Sequence, residues 1–328
     1  MMKYLQRSCI TILLTGFFLN AVHAEPKTGL EPFNFKKAYF FNFYSVCPLP
    51  SGEVWVVGSH GIICCYHKES KQFFVQDSGT LNNLYSVSFV DAKKGWIAGQ
   101  RGLIIHTDDG GNTWVRQESN TSEHLFSVCF KDSKTGWIIG AYGTILHTSD
   151  GGSTWVEQGE KPDIIYNQVF FLDNETGWVV GEFGTIHHTE NGGKTWEQQN
   201  SPLAEKNLFS VFFKDKYQGW IAGMDGDILE TSDGGITWTQ LESPMKENLF
   251  SIYLVQDSGW VVGLKGVYAT LNNGTWVDAT TCMPTRAWLK QCFFLDANNG
   301  WLVGSVGTIL FTEDGGRTWM PPWQRAKE

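Results

Sequence analysis

Apolar positions along this chain follow a period of two within short runs, and the runs themselves recur. In LFSVCF (125–130), GWIIG (136–140), GTILHT (143–148) and TWVEQ (154–158), apolar side chains alternate with polar or small ones, and KDSKT and SDGGS separate the runs. Short alternating runs bounded by turn formers read as half-buried strands, so 125–158 predicts four antiparallel strands. The same parse applies to LYSVSF, LFSVFF and LFSIYL at the starts of other units. A Trp followed by a short apolar run and a Gly recurs at Trp55, Trp96, Trp137, Trp178, Trp220, Trp260 and Trp301, with spacings of 41, 41, 41, 42, 40 and 41 residues. Four strands per unit, repeated at this period, predict an all-β fold: a seven-bladed β-propeller of four-stranded antiparallel blades over 41–328. An open solenoid is the other architecture such repeats can build, but no atypical polar cap follows Trp319.

Most units also carry T-x-D-G-G-x-T-W between the third and fourth runs, at Thr107–Trp114, Thr148–Trp155, Thr231–Trp238 and Thr312–Trp319. Asn191 replaces the aspartate in the fourth unit, the sixth is one residue short (TLNNGTW, 270–276), and in the first Phe73 occupies the tryptophan's place. An active site needs one copy, so a feature copied around the chain reads as architecture. Asp109, Asp150, Asn191, Asp233 and Asp314 are expected to accept N–H groups within the turn. The paired glycines supply positive φ for a tight hairpin. His106, His147 and His188 occupy one unit position; equivalent positions spread around a ring cannot converge on a metal, so no metal site is expected.

Residues 1–24 pair a Lys3/Arg7 start with an apolar run over 10–19 and small residues Val22 and Ala24, the pattern of a secretory signal peptide cut after Ala24. The apolar run is too short to span a bilayer in the usual way, so the mature chain is expected to be exported, not membrane-integral, and monomeric. Removing it leaves 23 basic against 34 acidic residues, a net charge of −11, with five arginines. That balance excludes nucleic acid as a partner. The stretch 25–40 precedes the first blade and either covers a blade edge or helps to close the ring.

Strand alternation puts the T-x-D-G-G turns on one face of the disc and the links between the second and third strands on the other. Those links read Ser59-His60, Gln100-Arg101, Ala141-Tyr142, Glu182-Phe183, Met224-Asp225, Leu264-Lys265 and Ser305-Val306, and they differ from blade to blade. With Arg286 and Trp288 from the connection 278–288, His60, Arg101, Tyr142, Phe183, Asp225 and Lys265 form the candidate binding rim of this variable face. No catalytic residues and no cofactor are expected. The enzyme alternative, a sialidase-like glycosidase, would rest on Glu182 and Asp225 as facing carboxylates, and G-x-S-x-G and P-loop motifs are missing. Six cysteines follow the leader; Cys47 and Cys129 share one strand position and read as buried thiols, and Cys282 with Cys292 is the best candidate disulfide.

The form G-W-[IV]-x-G-x-x-G-x-I-x-x-T-x-D-G-G-x-T-W resembles the Asp-box (BNR) repeats of the photosystem II stability/assembly factor family over about residues 40–320. The resemblance implies an exported propeller of the periplasm or thylakoid lumen. It further implies a non-enzymatic assembly factor whose protein client is a newly made membrane-protein subunit. Photosynthetic members of that family carry an arginine-rich patch, whereas this chain is acidic and arginine-poor.

Overall fold

The computed structural model describes residues 32–322 and 324; the leader and the stretch 25–31 lie outside the described residues. Seven antiparallel sheets follow one another along the chain, and within each the strands pair in chain order. Their first strands pack against one another in sequence around a central channel, and that of the last sheet packs on that of the first. The protein is therefore the all-β, seven-bladed propeller that the repeat predicts. In the third blade the strands are Leu125–Phe130, Gly136–Gly140, Ile145–Thr148 and Val156–Glu157. The outer strand is shorter than the apolar pattern predicts because Thr154 is taken up by the turn before it, where its N–H and hydroxyl both bind Asp150. Among the described residues six sheets have four strands and the seventh three, its fourth place held by a single bridge between Phe311 and Met320.

Two repeated contacts join the blades. The third residue of each inner strand accepts, through its side chain, the N–H of the fourth residue of the next inner strand. Ser45, Ser86, Ser127, Gln168, Ser210, Ser251 and Gln291 serve Val87, Val128, Val169, Val211, Ile252, Cys292 and Val46 at 2.7–3.3 Å. These amides belong to inner edge strands with no further strand to pair with, so each clasp satisfies a group that would otherwise lie half-desolvated. The second contact is aromatic. Trp96, Trp137, Trp178 and Trp260 stack on Phe130, Phe171, Phe213 and Phe294 of the following blade, with centroids 3.5–3.6 Å apart. Each indole N–H donates to a glycine carbonyl in that blade's Asp-box turn at 2.9–3.3 Å. Burial of a whole indole against the neighbour is what gives the GW repeat its place in the fold.

Among the described residues no strand is exchanged between the first and last blades. The seam is closed by the clasp from Gln291 to Val46 (2.8 Å) and by the stretch before the first blade. There the Phe33 N–H donates to the Phe73 carbonyl at 2.7 Å, continuing the first sheet at its outer edge. Phe33 and Ala38 then join a core cluster with Phe43, Tyr66, Trp301 and Phe311, taken from both blades. The described part of the N-terminal stretch, from residue 32 on, thus covers a blade edge and helps to close the ring.

Candidate functional site

The links between second and third strands are type I′ turns, and this fixes which residues can meet a partner. In the third blade, Thr144 N–H returns to the Ala141 carbonyl at 3.1 Å, so the central pair is Tyr142-Gly143. The same bond recurs in all seven blades. The first central residue (His60, Arg101, Tyr142, Phe183, Asp225, Lys265, Val306) has φ between 51° and 58°, and the glycine after it 62° to 82°. The predicted link pairs are accordingly off by one residue: Ser59, Ala141 and Ser305 are buried, and one residue per blade forms the tip. The glycine is needed on two counts, since a Cβ on Gly102 would lie 1.9 Å from the Thr121 carbonyl oxygen of the next connection.

Six of the seven turns are hydrogen-bonded to the following blade, those of Tyr142 and Phe183 through the Gly143 and Gly184 N–H groups, which donate to the Ile164 and Lys206 carbonyls at 2.9 and 2.7 Å. The N–H groups of His60, Arg101, Asp225 and Val306 donate to Asn83, His124, Asn248 and Asn42 side chains at 3.1–3.3 Å. Tyr142, Phe183 and Val306 are 57%, 62% and 61% exposed, while their backbone sits in the left-handed region that costs such residues roughly 1–2 kcal/mol each. Tyr39 and Phe40, also exposed, sit beside the Val306 tip, because Ala38 touches Gly307 and Phe41 accepts its N–H. Bulky apolar side chains therefore stand out at the third and fourth blades, at the seam across the ring, and at Leu81 beside the first tip.

The charged candidates differ in how free they are. Asp225 pairs with Lys206 at 3.3 Å, and Lys265 with Glu247 at 2.6 Å. Arg101 and Arg286 are exposed on the same face. Glu182 is not a tip; its carboxylate accepts the Ile165 N–H at 2.8 Å, capping a connection. Glu182 is thus engaged with the Ile165 N–H, and Asp225 with Lys206, which also pairs with Asp227 at 2.8 Å.

Trp288 leads to a feature the link analysis missed. It is half-buried, stacked on Tyr44 at 6.1 Å, and lines a cup of about 500 Å³ where the central channel opens on the variable face. The second residue of each inner strand forms the cup wall: Tyr44, Tyr85, Phe126, Asn167, Phe209, Phe250 and Lys290. That residue is the extra one of a β-bulge in every blade, which turns its side chain toward the axis. Beneath it runs the layer of clasping serines and glutamines. The signal available in the sequence was a break in alternation, an apolar pair where one polar residue belongs, together with the odd Asn167 and Lys290 in otherwise aromatic company.

The opposite face carries the Asp-box turns. Asp150 accepts the Thr154 N–H (2.9 Å) and hydroxyl (2.7 Å) and the Thr148 hydroxyl (2.8 Å), and the Gly152 N–H donates to Thr148 Oγ1 (2.8 Å). Asp109, Asp233 and Asp314 repeat this set, and Asn191 keeps the N–H acceptance while its amide donates to the Thr195 hydroxyl. The Thr154 N–H and hydroxyl hold the Asp150 carboxyl below the usual range, and the Thr237 hydroxyl and N–H bring Asp233 down to about 2. His106, His147 and His188 lie against the indoles of Trp96, Trp137 and Trp178 at 4.7–5.2 Å, and burial lowers the pKa of all three. Their recurrence is accounted for by that packing.

The six cysteines among the described residues are unpaired. Cys282 is exposed, and Cys292 is buried beside the Ser251 hydroxyl at 3.7 Å, so the expected Cys282–Cys292 bridge is not formed. Cys47 is buried as expected, whereas Cys129 is only partly buried; burial raises the pKa of both. No helix among the described residues is long and apolar enough to cross a membrane.

A family model described as "Photosynthesis system II assembly factor YCF48" matches residues 67–157, 110–203 and 196–277, overlapping spans that cover nearly two thirds of the chain. The Photosystem II assembly protein Ycf48 of Thermosynechococcus vestitus (strain NIES-2133 / IAM M-273 / BP-1) is 46% identical over 39 residues, 12% of this chain and 11% of that protein. The aligned stretch thus spans about a ninth of that relative's length. A structure of YCF48 bound to a D1 peptide has a TM-score of 0.61 at 22% identity, covering 74% of this chain and 82% of that one. YCF48 from Cyanidioschyzon merolae gives 0.58 at 20%, with 72% and 84% covered. The selenomethionine-substituted virginiamycin B lyase of Staphylococcus aureus gives 0.73 at 12%, with 85% and 97% covered. Backbone likeness at these identities shows the fold and extends to enzymes.

Proposed function

The chain belongs to the family of the photosynthesis system II assembly factor YCF48, and we propose that it is an exported, non-enzymatic propeller that binds a protein client through its variable face. The observation that carries this reading is the set of tips. Tyr142, Phe183 and Val306 hold apolar side chains in solvent on strained backbone, where glycine or asparagine would be cheaper. Exposed aromatics on rigid, braced turns are what a recognition surface requires, since little side-chain or loop entropy is lost on contact. A solved relative is itself YCF48 bound to a D1 peptide, which supports a polypeptide ligand. Here the client is a subunit of a membrane protein met on the exported side, the compartment being the periplasm, or the thylakoid lumen in a photosynthetic source. The leader-like residues 1–24 support export.

The test is a pull-down from the exported fraction with the wild-type chain and with Tyr142→Ala/Phe183→Ala and Arg101→Glu. Recovery of a membrane-protein subunit by the wild type, reduced in the variants while their melting temperatures hold, is the expected result. Equal recovery by all three proteins would remove the variable face from the binding reaction.

A further inference from the structure

We propose that the channel cup binds a ligand with an apolar body and a single carboxylate, the body lying among the aromatic walls and the carboxylate on the Lys290 ammonium. Lys290 is the one charged side chain among the residues that line the cup. Its ammonium lies 5.3 Å from the centre of the Phe250 ring, and among the described residues no carboxylate stands within ion-pair distance. A half-buried cation with a ring face for company and no counter-ion is a cost that the fold does not require. Five of the seven blades place Tyr or Phe at this position, and the clasp to the next blade comes from the following residue, Gln291. The charge is therefore dispensable for building the ring, and its single occurrence marks one side of the cup.

The surroundings narrow the ligand. Gln291 commits its carbonyl to the Val46 N–H, which leaves its NH2 group to donate beside Lys290. Cations are disfavoured in spite of the aromatic walls, because Lys290 repels them. A phosphate would need several strong donors, and the cup offers one ammonium. Burial pulls Lys290 down to about 8, which still leaves the ammonium form dominant at neutral pH, and an arriving carboxylate supplies the counter-charge that burial denies it. A volume of about 500 Å³ is within the range that holds a small acid or the last residues of a peptide. The free C-terminus of a chain ending in apolar residues and a small aromatic acid share this chemistry. The inference goes beyond the client reading and stands whether or not the rim binds a protein.

The experiment titrates the full chain with 4-phenylbutyrate, its neutral amide, a hexapeptide ending in Leu-Phe with a free carboxylate, and the same peptide amidated. Calorimetry and tryptophan fluorescence report binding, Trp288 being in the wall. At least one acid is expected to bind about tenfold more tightly than its amide, as one charge-assisted contact gives. Lys290→Met is expected to erase that preference and Lys290→Arg to keep it. Preference for the peptide acid assigns the ligand to chain termini, and preference for phenylbutyrate assigns it to small acids. Lys290→Tyr, which copies the first two blades, is the second loss variant should Lys290→Met not fold. Equal affinity of acid and amide, binding by neither acid, or a preference that survives both loss variants overturns the proposal.

Discussion

Replacing Gln291 with leucine isolates the clasp that shuts the ring. The substitution keeps the side-chain size and removes the acceptor of the Val46 N–H, which is 2.8 Å away across the seam and 245 residues distant in sequence. Val46 is 1% exposed, so its N–H has no full replacement, although the neighbouring channel admits some water. An unsatisfied buried N–H costs about 1–3 kcal/mol, and partial hydration places this one at about 1–2 kcal/mol. For a ring of this size that corresponds to a fall in melting temperature of about 2–4 °C. Ser127→Ala removes the equivalent acceptor of Val169 inside the ring, where the two blades are consecutive in the chain. Both variants should lose similar thermal stability. Hydrogen exchange should separate them, with Gln291→Leu raising exchange in peptides covering 43–48 and 289–294 and Ser127→Ala leaving those peptides unchanged. A Gln291→Leu protein that melts with the wild type and exchanges no faster at the seam would refute the view that this hydrogen bond closes the propeller.

Three further outcomes are expected. Asp150 and Asp233 titrate below the normal carboxylate range, so the stability they contribute is present above about pH 4 and lost as pH falls toward 2, where Asp233 protonates. Asp150→Asn/Asp233→Asn should therefore flatten the acid limb of a melting-temperature profile between those values, as Asn191 already performs the same N–H acceptance without titrating. Val306→Gly relieves left-handed strain on a β-branched tip and should raise stability by about 0.5–1 kcal/mol in chemical denaturation, after the entropy glycine adds to the unfolded chain; the same variant should capture less client. Phe33→Ala removes a ring buried between the first and last blades and should cost about 2–4 kcal/mol by the same measurement, well above the cost of Phe40→Ala at an exposed position.

The blades were legible because each repeats the same burial problem. GW followed by apolar residues and Gly places a fully buried strand, as at Trp137, and the alternation in LFSVCF places the half-buried one beside it. The variable face was also legible from chain alternation, and Tyr142 and Phe183 stand on it. What strand spacing alone could not fix was the turn register: a glycine at the second central place favours Tyr142-Gly143 over Ala141-Tyr142, and the backbone bond from Thr144 to Ala141 shows that register. The cup was hidden for a different reason. A bulge adds a residue without changing the apolar count, so Phe126 in LFSVCF reads as core although it faces the channel. Trp288 was assigned to the rim because its connection emerges there, and its stacking on Tyr44 draws it inward.

The places where the repeat fails make the strongest case that the repeated residues are architectural. The sixth unit lacks a full Asp box, and so offers no glycine carbonyl to the tryptophan of the fifth. Trp220 instead donates its N–H to Glu230 at 2.8 Å, within its own blade. Glu230 occupies the position where the second, third and fourth blades carry His106, His147 and His188, whose indoles all have a box to bind in the next blade. The residue on which Trp220 would stack is likewise changed, with Leu254 standing where the boxed blades have phenylalanine. The first unit also has no box, and there Trp301 packs on Tyr66 and Phe73 with Phe311 at the histidine position. Each loss on one blade is answered by a change on the blade that would have used it. Such matched exchange is what an interface between blades demands, and a row of independent metal or catalytic residues would show no reason to follow it.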